Sequence, residues 1–408
     1  MLIEFSVENY LCFKNETTFS FEAMTDLDES KIFNPESRRM LEGVVDPETG
    51  EPVVINTVNG IYGKNAAGKS TLLRAMNKAF DLIMNSVKLN EDDDFGIDYE
   101  DENQSSTFKL KFVQDESLFD YSFCLKGTDS EATVISEKLY NLTTSTTVFE
   151  RTQGGNITYS PEVFPEDIDK YAKLYFLTAT KKNHLFFSNT TIPYFEILRK
   201  TFSKKQNQLI DVLDSLKLDV FSYSAFIDYF WHFKDVLLET KRKFLLLRIL
   251  QEADLNIQDY HFEDKKLFFT DKKNTTRDFA KQSDGTKKYF ILSFFLCIDT
   301  LQNGGMYVVD ELEKALHPRL AMRFINIFKN PETNPKHARL LFTTHDTGFM
   351  HQSILNGDQV WFIERNDETQ ETKLTSAADA EGFEPVYLQS DYMQGLYGAV
   401  PTIADENK

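Results

Sequence analysis

Gly63-Lys64-Asn65-Ala66-Ala67-Gly68-Lys69-Ser70 decides how this chain is read. Two glycines separated by four residues, then Lys and Ser, make the P-loop pattern. Each position has a physical reason. The glycines let the backbone bend around phosphates with no Cβ in the way, so that successive amide N–H groups point inward. Lys69 reaches the outer phosphates as a point charge, and the Ser70 hydroxyl is placed to ligate Mg²⁺. Thr71-Leu72-Leu73-Arg74-Ala75-Met76 reads as a helix, whose positive N-terminal end faces the anion. Residues 53–61 upstream are apolar and β-rich. Strand, loop and helix in that order turn a pattern match into an expected site for a nucleoside triphosphate with Mg²⁺, held by residues 63–71.

Composition bounds what surrounds that loop. The 408 residues are 41% hydrophobic and 27% charged, which suits a globular protein of two or three compact units. With 36 phenylalanines the core is expected to be rich in aromatic rings. No apolar run approaches the length of a membrane span, and Met1-Leu2-Ile3-Glu4-Phe5 begins as a strand rather than a signal peptide. Cys12, Cys124 and Cys297 lack ligand-like spacing and fit thiols in a reducing cytoplasm. A net charge of −19 argues against a surface that binds nucleic acid throughout, though not against a local patch. Eight carboxylates fall between Glu91 and Glu102, which reads as a solvated loop. The balance turns positive at Lys181 and Lys182, at Arg199, Lys200, Lys204 and Lys205, and at Lys241, Arg242 and Lys243.

Along the chain, residues 2–7, 17–21 and 53–61 have strand texture, and the helix after Ser70 runs to about 87. Residues 107–113, 120–125, 133–140 and 147–151 alternate as an antiparallel meander. From about 165 to 253 the texture is helical: Phe226, Phe230, Phe233 and Leu237, then Phe244 and Leu247, recur at three- and four-residue steps. Strand texture resumes at 255–262 and 267–269. A helix follows over 286–302, then short buried strands at 306–309, 340–343 and 360–363. The expected organisation is an α/β nucleotide-binding head with a mixed sheet and an antiparallel β subdomain. Its halves are 1–160 and 255–408, and a helical insertion spans 161–254.

Three later features narrow the chemistry. Met306-Tyr307-Val308-Val309-Asp310-Glu311 is an apolar strand ending in two acids. Asp310 is placed to hold Mg²⁺ through its waters, and Glu311 to act as general base on the attacking water. Leu340-Leu341-Phe342-Thr343-Thr344-His345 is a second buried strand, ending in a histidine able to contact the γ-phosphate or that water. Gln282-Ser283-Asp284-Gly285-Thr286-Lys287-Lys288 opens a helix, where Ser283 and Gly285 make an anion site of a hydroxyl and backbone amides. By itself this last signal is weak, since many helix caps look the same.

In this order the motifs resemble the ABC-type ATPases, in the branch that holds SMC proteins and RecF. Ser283 to Thr286 corresponds to the signature, Asp310 and Glu311 to Walker B, and His345 to the switch histidine. Phe5-Ser6-Val7-Glu8-Asn9-Tyr10-Leu11-Cys12-Phe13 looks like the first strand and turn of those heads. Glu313-Lys314-Ala315-Leu316-His317-Pro318, Asp358-Gln359-Val360-Trp361-Phe362 and Tyr392-Met393-Gln394-Gly395-Leu396-Tyr397-Gly398-Ala399-Val400-Pro401 look like the RloA and AbiLi-type ATPases of abortive-infection loci. The resemblance implies a head-to-head homodimer or larger homo-oligomer, with the signature of one subunit closing over nucleotide on the P-loop of the other. It departs from the common pattern at Asp284, where a glycine is usual, and at His317, where transporters carry an aspartate. Gln114 is one candidate for the Gln-loop.

Three functions compete at this level. The leading one is a cytoplasmic, anti-phage ATPase that regulates an effector protein encoded at the same locus. The alternative is a RecF-like ATPase of DNA maintenance that binds nucleic acid through the basic helical block. A nucleotide-holding scaffold with little turnover is the third. None of them requires a membrane.

Overall fold

The computed structural model describes residues 1–85, 104–126, 133–152, 157–160, 185, 187, 238–253, 255–264, 266–297, 301 and 304–400. The expected acidic loop, the basic groups at 181–182 and 199–205 and most of the helical insertion lie outside them. The chain divides into two compact units, Met1–Asn207 with Met350–Lys408, and Gln208–Phe349.

The first unit begins with β1 (Leu2–Glu8), where Ile3, Phe5 and Val7 alternate into the core at 1% exposure or less. β2 (Thr17–Ser20) pairs antiparallel with it. The apolar stretch at 53–61, expected as one strand, is two. β4 (Pro52–Asn56) pairs with β3 (Arg38–Val45), whereas β5 (Val58–Tyr62) belongs to another sheet. The break falls at Thr57, whose N–H and hydroxyl both donate to the Ser37 carbonyl, at 2.8 and 3.0 Å. Asn56, Thr57 and Asn59 interrupt the apolar run at the break, but all three are buried at 0% exposure, so their polarity does not read as a surface turn. After the P-loop comes α1 (Lys69–Asn85).

The meander is β6 (Ser106–Gln114), β7 (Ser117–Lys126), β8 (Thr133–Asn141), β9 (Thr146–Arg151) and β10 (Ile157–Tyr159). With β1 and β2 it forms a seven-stranded sheet in the order β10-β9-β8-β7-β6-β1-β2. Cross-strand ring pairs pin its register: Phe108 stacks on Phe123 at 5.1 Å and Phe112 on Phe119 at 5.4 Å. Gln114 ends β6 at the hairpin, opposite Ser117.

The second unit opens on α2 (Thr240–Glu252). Its buried stripe is Leu246, Ile249, Leu250 and Ala253, while Phe244 is 70% exposed. The apolar face is therefore turned away from the Phe244 spacing expected from sequence. Antiparallel β11 (Ile257–Glu263), β12 (Lys266–Asp271) and β13 (Thr276–Asp278) follow. Phe269, Phe279 and Phe290 gather there with centroids 4.9–5.4 Å apart. Phe290 lies on α3 (Asp284–Phe295), which starts two residues earlier than expected because the Ser283 side chain caps the Thr286 N–H. β14 (Met306–Val309) and β15 (Arg339–Thr343) are a fully buried parallel pair. Between them α4 (Pro318–Lys329) starts on His317, whose ring nitrogen accepts the Arg319 N–H, with Pro318 at the first helical position.

The chain then returns to the first unit. β16 (Val360–Arg365) lies parallel to β5 and antiparallel to β17 (Thr372–Ser376), and α5 (Leu388–Met393) follows. The described residues make a mixed α/β fold, in which both apolar strands that precede site motifs, β5 and β14, have parallel partners. Among them no helix is long and apolar enough to cross a membrane, and all three cysteines are free thiols.

Candidate functional site

The P-loop springs from the end of β5, whose five residues are all buried. Its mate β16 presses on it closely. A Cβ added at Gly63 would stand 2.4 Å from the Ile363 carbonyl oxygen, so only glycine fits. Gly68 has φ +116°, and Cys12 Sγ and Ile363 lie 3.0 and 3.2 Å from where its Cβ would be. Ala66 is left-handed as well, at φ +60°. Beneath β5 and β16 the rings of Phe362, Tyr392 and Tyr397 stack at 5.1 and 4.8 Å, which gives the C-terminal aromatic motif its place.

This bend curls the loop around its lysine. Lys69, 7% exposed, sends its ammonium back to the carbonyls of Gly63 at 2.8 Å and Lys64 at 3.2 Å. Lys64 pairs outside the curl with Asp367 at 2.8 Å, and Asn65 and Ala66 are exposed. Lys69 and Ser70 open α1, whose first amides have no acceptor within the helix. A buried ammonium, two left-handed residues and a helix N-terminus form a cradle of donors that fits a chain of phosphates. Cys12 lies under it, hydrogen-bonding Thr372 and Thr71, and burial pushes its thiol pKa up.

The second unit carries the acids, and there one residue that the sequence reading gave no role does most of the joining. The Thr343 hydroxyl donates to the Asp310 carboxylate and accepts the Glu311 N–H at 2.8 Å, and its carbonyl accepts the Leu312 N–H at 3.0 Å. Thr343 ends β15 beside the end of β14, so the parallel pairing brings the acids and the histidine strand together. Glu311 is left-handed at φ +51°, and its carboxylate meets Lys314 at 3.2 Å. His345 is exposed, and its N–H donates to Glu313 Oε1 at 2.7 Å. Lys288 of α3 donates to the Glu311 carbonyl at 2.8 Å. Burial pushes the Lys288 ammonium down to about 8, against the carboxylates of Glu313 and Glu311, which pull it up. At Gly285 a Cβ would stand 2.7 Å from the Ala315 carbonyl, so the first turn of α3 lies flat on the loop after Glu311.

Sequence reasoning named Asp310, Glu311 and His345 but gave Thr343, Glu313 and Lys288 no part. Thr343 ended a buried run, and Lys288 closed the signature stretch. Among the described residues no group of three His, Cys, Asp or Glu side chains could hold a metal ion unaided. In P-loop proteins phosphate oxygens and water complete the shell of Mg²⁺.

A glycine-bent loop at the end of one parallel strand and paired acids at the end of another, in a mixed α/β fold, are the parts found in P-loop ATPases. The chain belongs to the family described as "AAA domain, putative AbiEii toxin, Type IV TA system", whose shared pattern matches residues 58–351. That span runs from the first residue of β5 past His345. No curated protein matches the chain. Among solved structures it is similar to an SMC head domain from Thermotoga maritima, at 12% identity over 92% of this chain and 98% of that one, with a TM-score of 0.43. It is also similar to an Smc head domain with an extended coiled coil, bound to the C-terminal domain of ScpA and derived from Pyrococcus furiosus. There the identity is 12% over 92% and 96% of the two chains, and the TM-score is 0.41.

Proposed function

We propose that this protein is an ATP-hydrolysing switch of the ABC type, close to the RloA and AbiLi ATPases, whose nucleotide state regulates a separately encoded effector in defence against phage. The observation that carries the hydrolytic part is the Thr343 hydroxyl, which joins the Asp310 carboxylate to the backbone of Glu311 at the ends of two parallel strands. Such an arrangement holds one acid for a cation and presents the next to water.

Mg²⁺–ATP, when bound, supplies the phosphoanhydride bond that is broken. The rest falls to the chain. Amides of residues 63–70 and the Lys69 ammonium would bind the phosphates, Ser70 and Asp310 are the residues that would hold the ion, and Glu311 would take a proton from water. The exposed His345 would contact the γ-phosphate or the attacking water, and Ser283 and Gly285 would close over nucleotide held by a second copy. The defence role is supported by the family description, which names a toxin and a toxin–antitoxin system. Direct binding of nucleic acid has less support. Of the described basic group, Arg242 is engaged by Glu239 and Lys243 by Asp259, which neutralises much of its field.

Measured ATP binding and turnover test the reading. Lys69→Ala should lose nucleotide binding. Glu311→Gln should keep ATP bound and slow hydrolysis by roughly 10²–10⁴-fold, the range for a lost general base. Wild-type turnover in both variants would refute it. Growth arrest that needs a neighbouring gene, and that Lys69→Ala alters, is the expected output in cells.

A further inference from the structure

We propose that Lys288 is a positioning residue for hydrolysis, holding the Glu311 carbonyl and with it the left-handed turn that sets where the Glu311 carboxylate stands. The inference rests on Glu311 being the general base.

Glutamate has no intrinsic preference for φ +51°, a region that its Cβ disfavours. Such a conformation persists only where the surroundings over-determine it. Here both faces of the Glu311 peptide are held. Its N–H donates to the buried Thr343 hydroxyl at 2.8 Å, and its carbonyl accepts from Lys288 Nζ at 2.8 Å. The Lys314 N–H adds a local turn bond to the same carbonyl at 3.0 Å. With the lysine contact gone, relaxation of φ to the right-handed region swings the side chain by more than a quarter-turn, and the carboxylate leaves its place.

A lysine suits this position better than a neutral donor. An ammonium makes a charge-assisted bond to a carbonyl, and it sits in the field of Glu313, Glu311 and Asp310. It thus balances acids that otherwise repel one another across a short loop. The ion pair between Lys314 and the Glu311 carboxylate does less to fix the turn, because both side chains are about half exposed (58% and 42%) and such pairs are weak. Lys288 also stands on α3, one turn beyond Gly285, where the helix lies against the Ala315 carbonyl. The helix that opens with Ser283 and Gly285 is therefore tied directly to the loop of the base, and a shift of one displaces the other.

The test uses the full chain with Mg²⁺–ATP. Lys288→Met keeps the side chain's bulk and removes the donor. Its kcat should fall by up to about 100-fold, the size of a small misplacement of a catalytic group, while KM and the dissociation constant for ATP stay at wild-type values. In a Glu311→Gln background the same change should cost no further activity, because the group it positions is already gone. Lys288→Arg, which retains a cationic donor, should recover most of the rate. Lys288→Gln, whose polar head falls short of the carbonyl, is the second truncation and should behave as the Met variant does. A wild-type kcat in the Met or Gln variant overturns the inference, as does an equal loss with and without Glu311. An unchanged rate in Glu311→Gln alone is a different result: it removes the base assignment itself.

Discussion

The contact between Gly63 and β16 allows a prediction whose size follows from the structure. In Gly63→Ala the new Cβ meets the Ile363 carbonyl oxygen at 2.4 Å and Ile363 Cγ2 at 2.9 Å, where ordinary contacts begin at 3.4 Å. The side chain can change rotamer, but the carbonyl belongs to a strand paired with β5 on one side and β17 on the other. The loop must therefore move by about 1 Å. Overpacking of this kind costs about 1–3 kcal/mol, which is roughly 2–4 °C in melting temperature per kcal/mol for a unit of this size. The same shift pulls at least one loop amide off its phosphate. A charge-assisted hydrogen bond is worth about 1.5–3 kcal/mol, so ATP affinity should fall by roughly 10–100-fold. Calorimetric titration with Mg²⁺–ATP and a melting curve measure both. Gly50→Ala is the control, since Gly50 has positive φ (+74°) and nothing within 4 Å, whereas Gly63 is restricted by contact and not by φ. It should lower stability through backbone strain and leave ATP affinity untouched. Wild-type affinity and melting in Gly63→Ala would refute the reasoning, because the loop would not be braced on Ile363 at all.

Further outcomes test the site and the assembly. Thr343→Val keeps shape but strips the Asp310 carboxylate and the Glu311 N–H of a buried partner, a loss of about 1–3 kcal/mol in chemical denaturation with turnover falling alongside. Mixing a Lys69→Ala chain with a Ser283→Arg chain should restore one working site per mixed dimer; no recovery in confirmed heterodimers would rule out a shared site. Reversing Lys241, Arg242 and Lys243 to Glu turns the partly exposed pairs with Glu239 and Asp259 into like-charge contacts, so stability should drop by roughly 1–2 kcal/mol. ATP turnover should survive that change, as a rate measurement on the folded variant would show.

What the sequence determined by itself lies in runs of neighbouring residues. Residues 63–70 specify a phosphate loop because its glycines, lysine and serine are adjacent in the chain. Asp310 and Glu311 announce themselves as acids at the end of an apolar strand, and the meander shows in its own period of two. The tertiary structure decided whatever depends on residues far apart. The polar Asn56 and Thr57 are too short an interruption to announce a change of sheet, yet the break there moves β5 into a different sheet from β4. Only the fold shows that Gly63 must be glycine because Ile363 stands against it, 300 residues along. The stripe of α2 follows Leu246, Ile249 and Leu250 because packing partners, and not spacing alone, choose which face is buried. Thr343 reaches Asp310 because β14 and β15 run parallel in one register, and Lys288 reaches Glu311 because α3 lies on the loop that follows it. Periodicity and motif spacing record the local geometry of a chain. Hydrogen bonds between strand ends, and the steric limits of a backbone pressed on a distant strand, arise only when the elements pack.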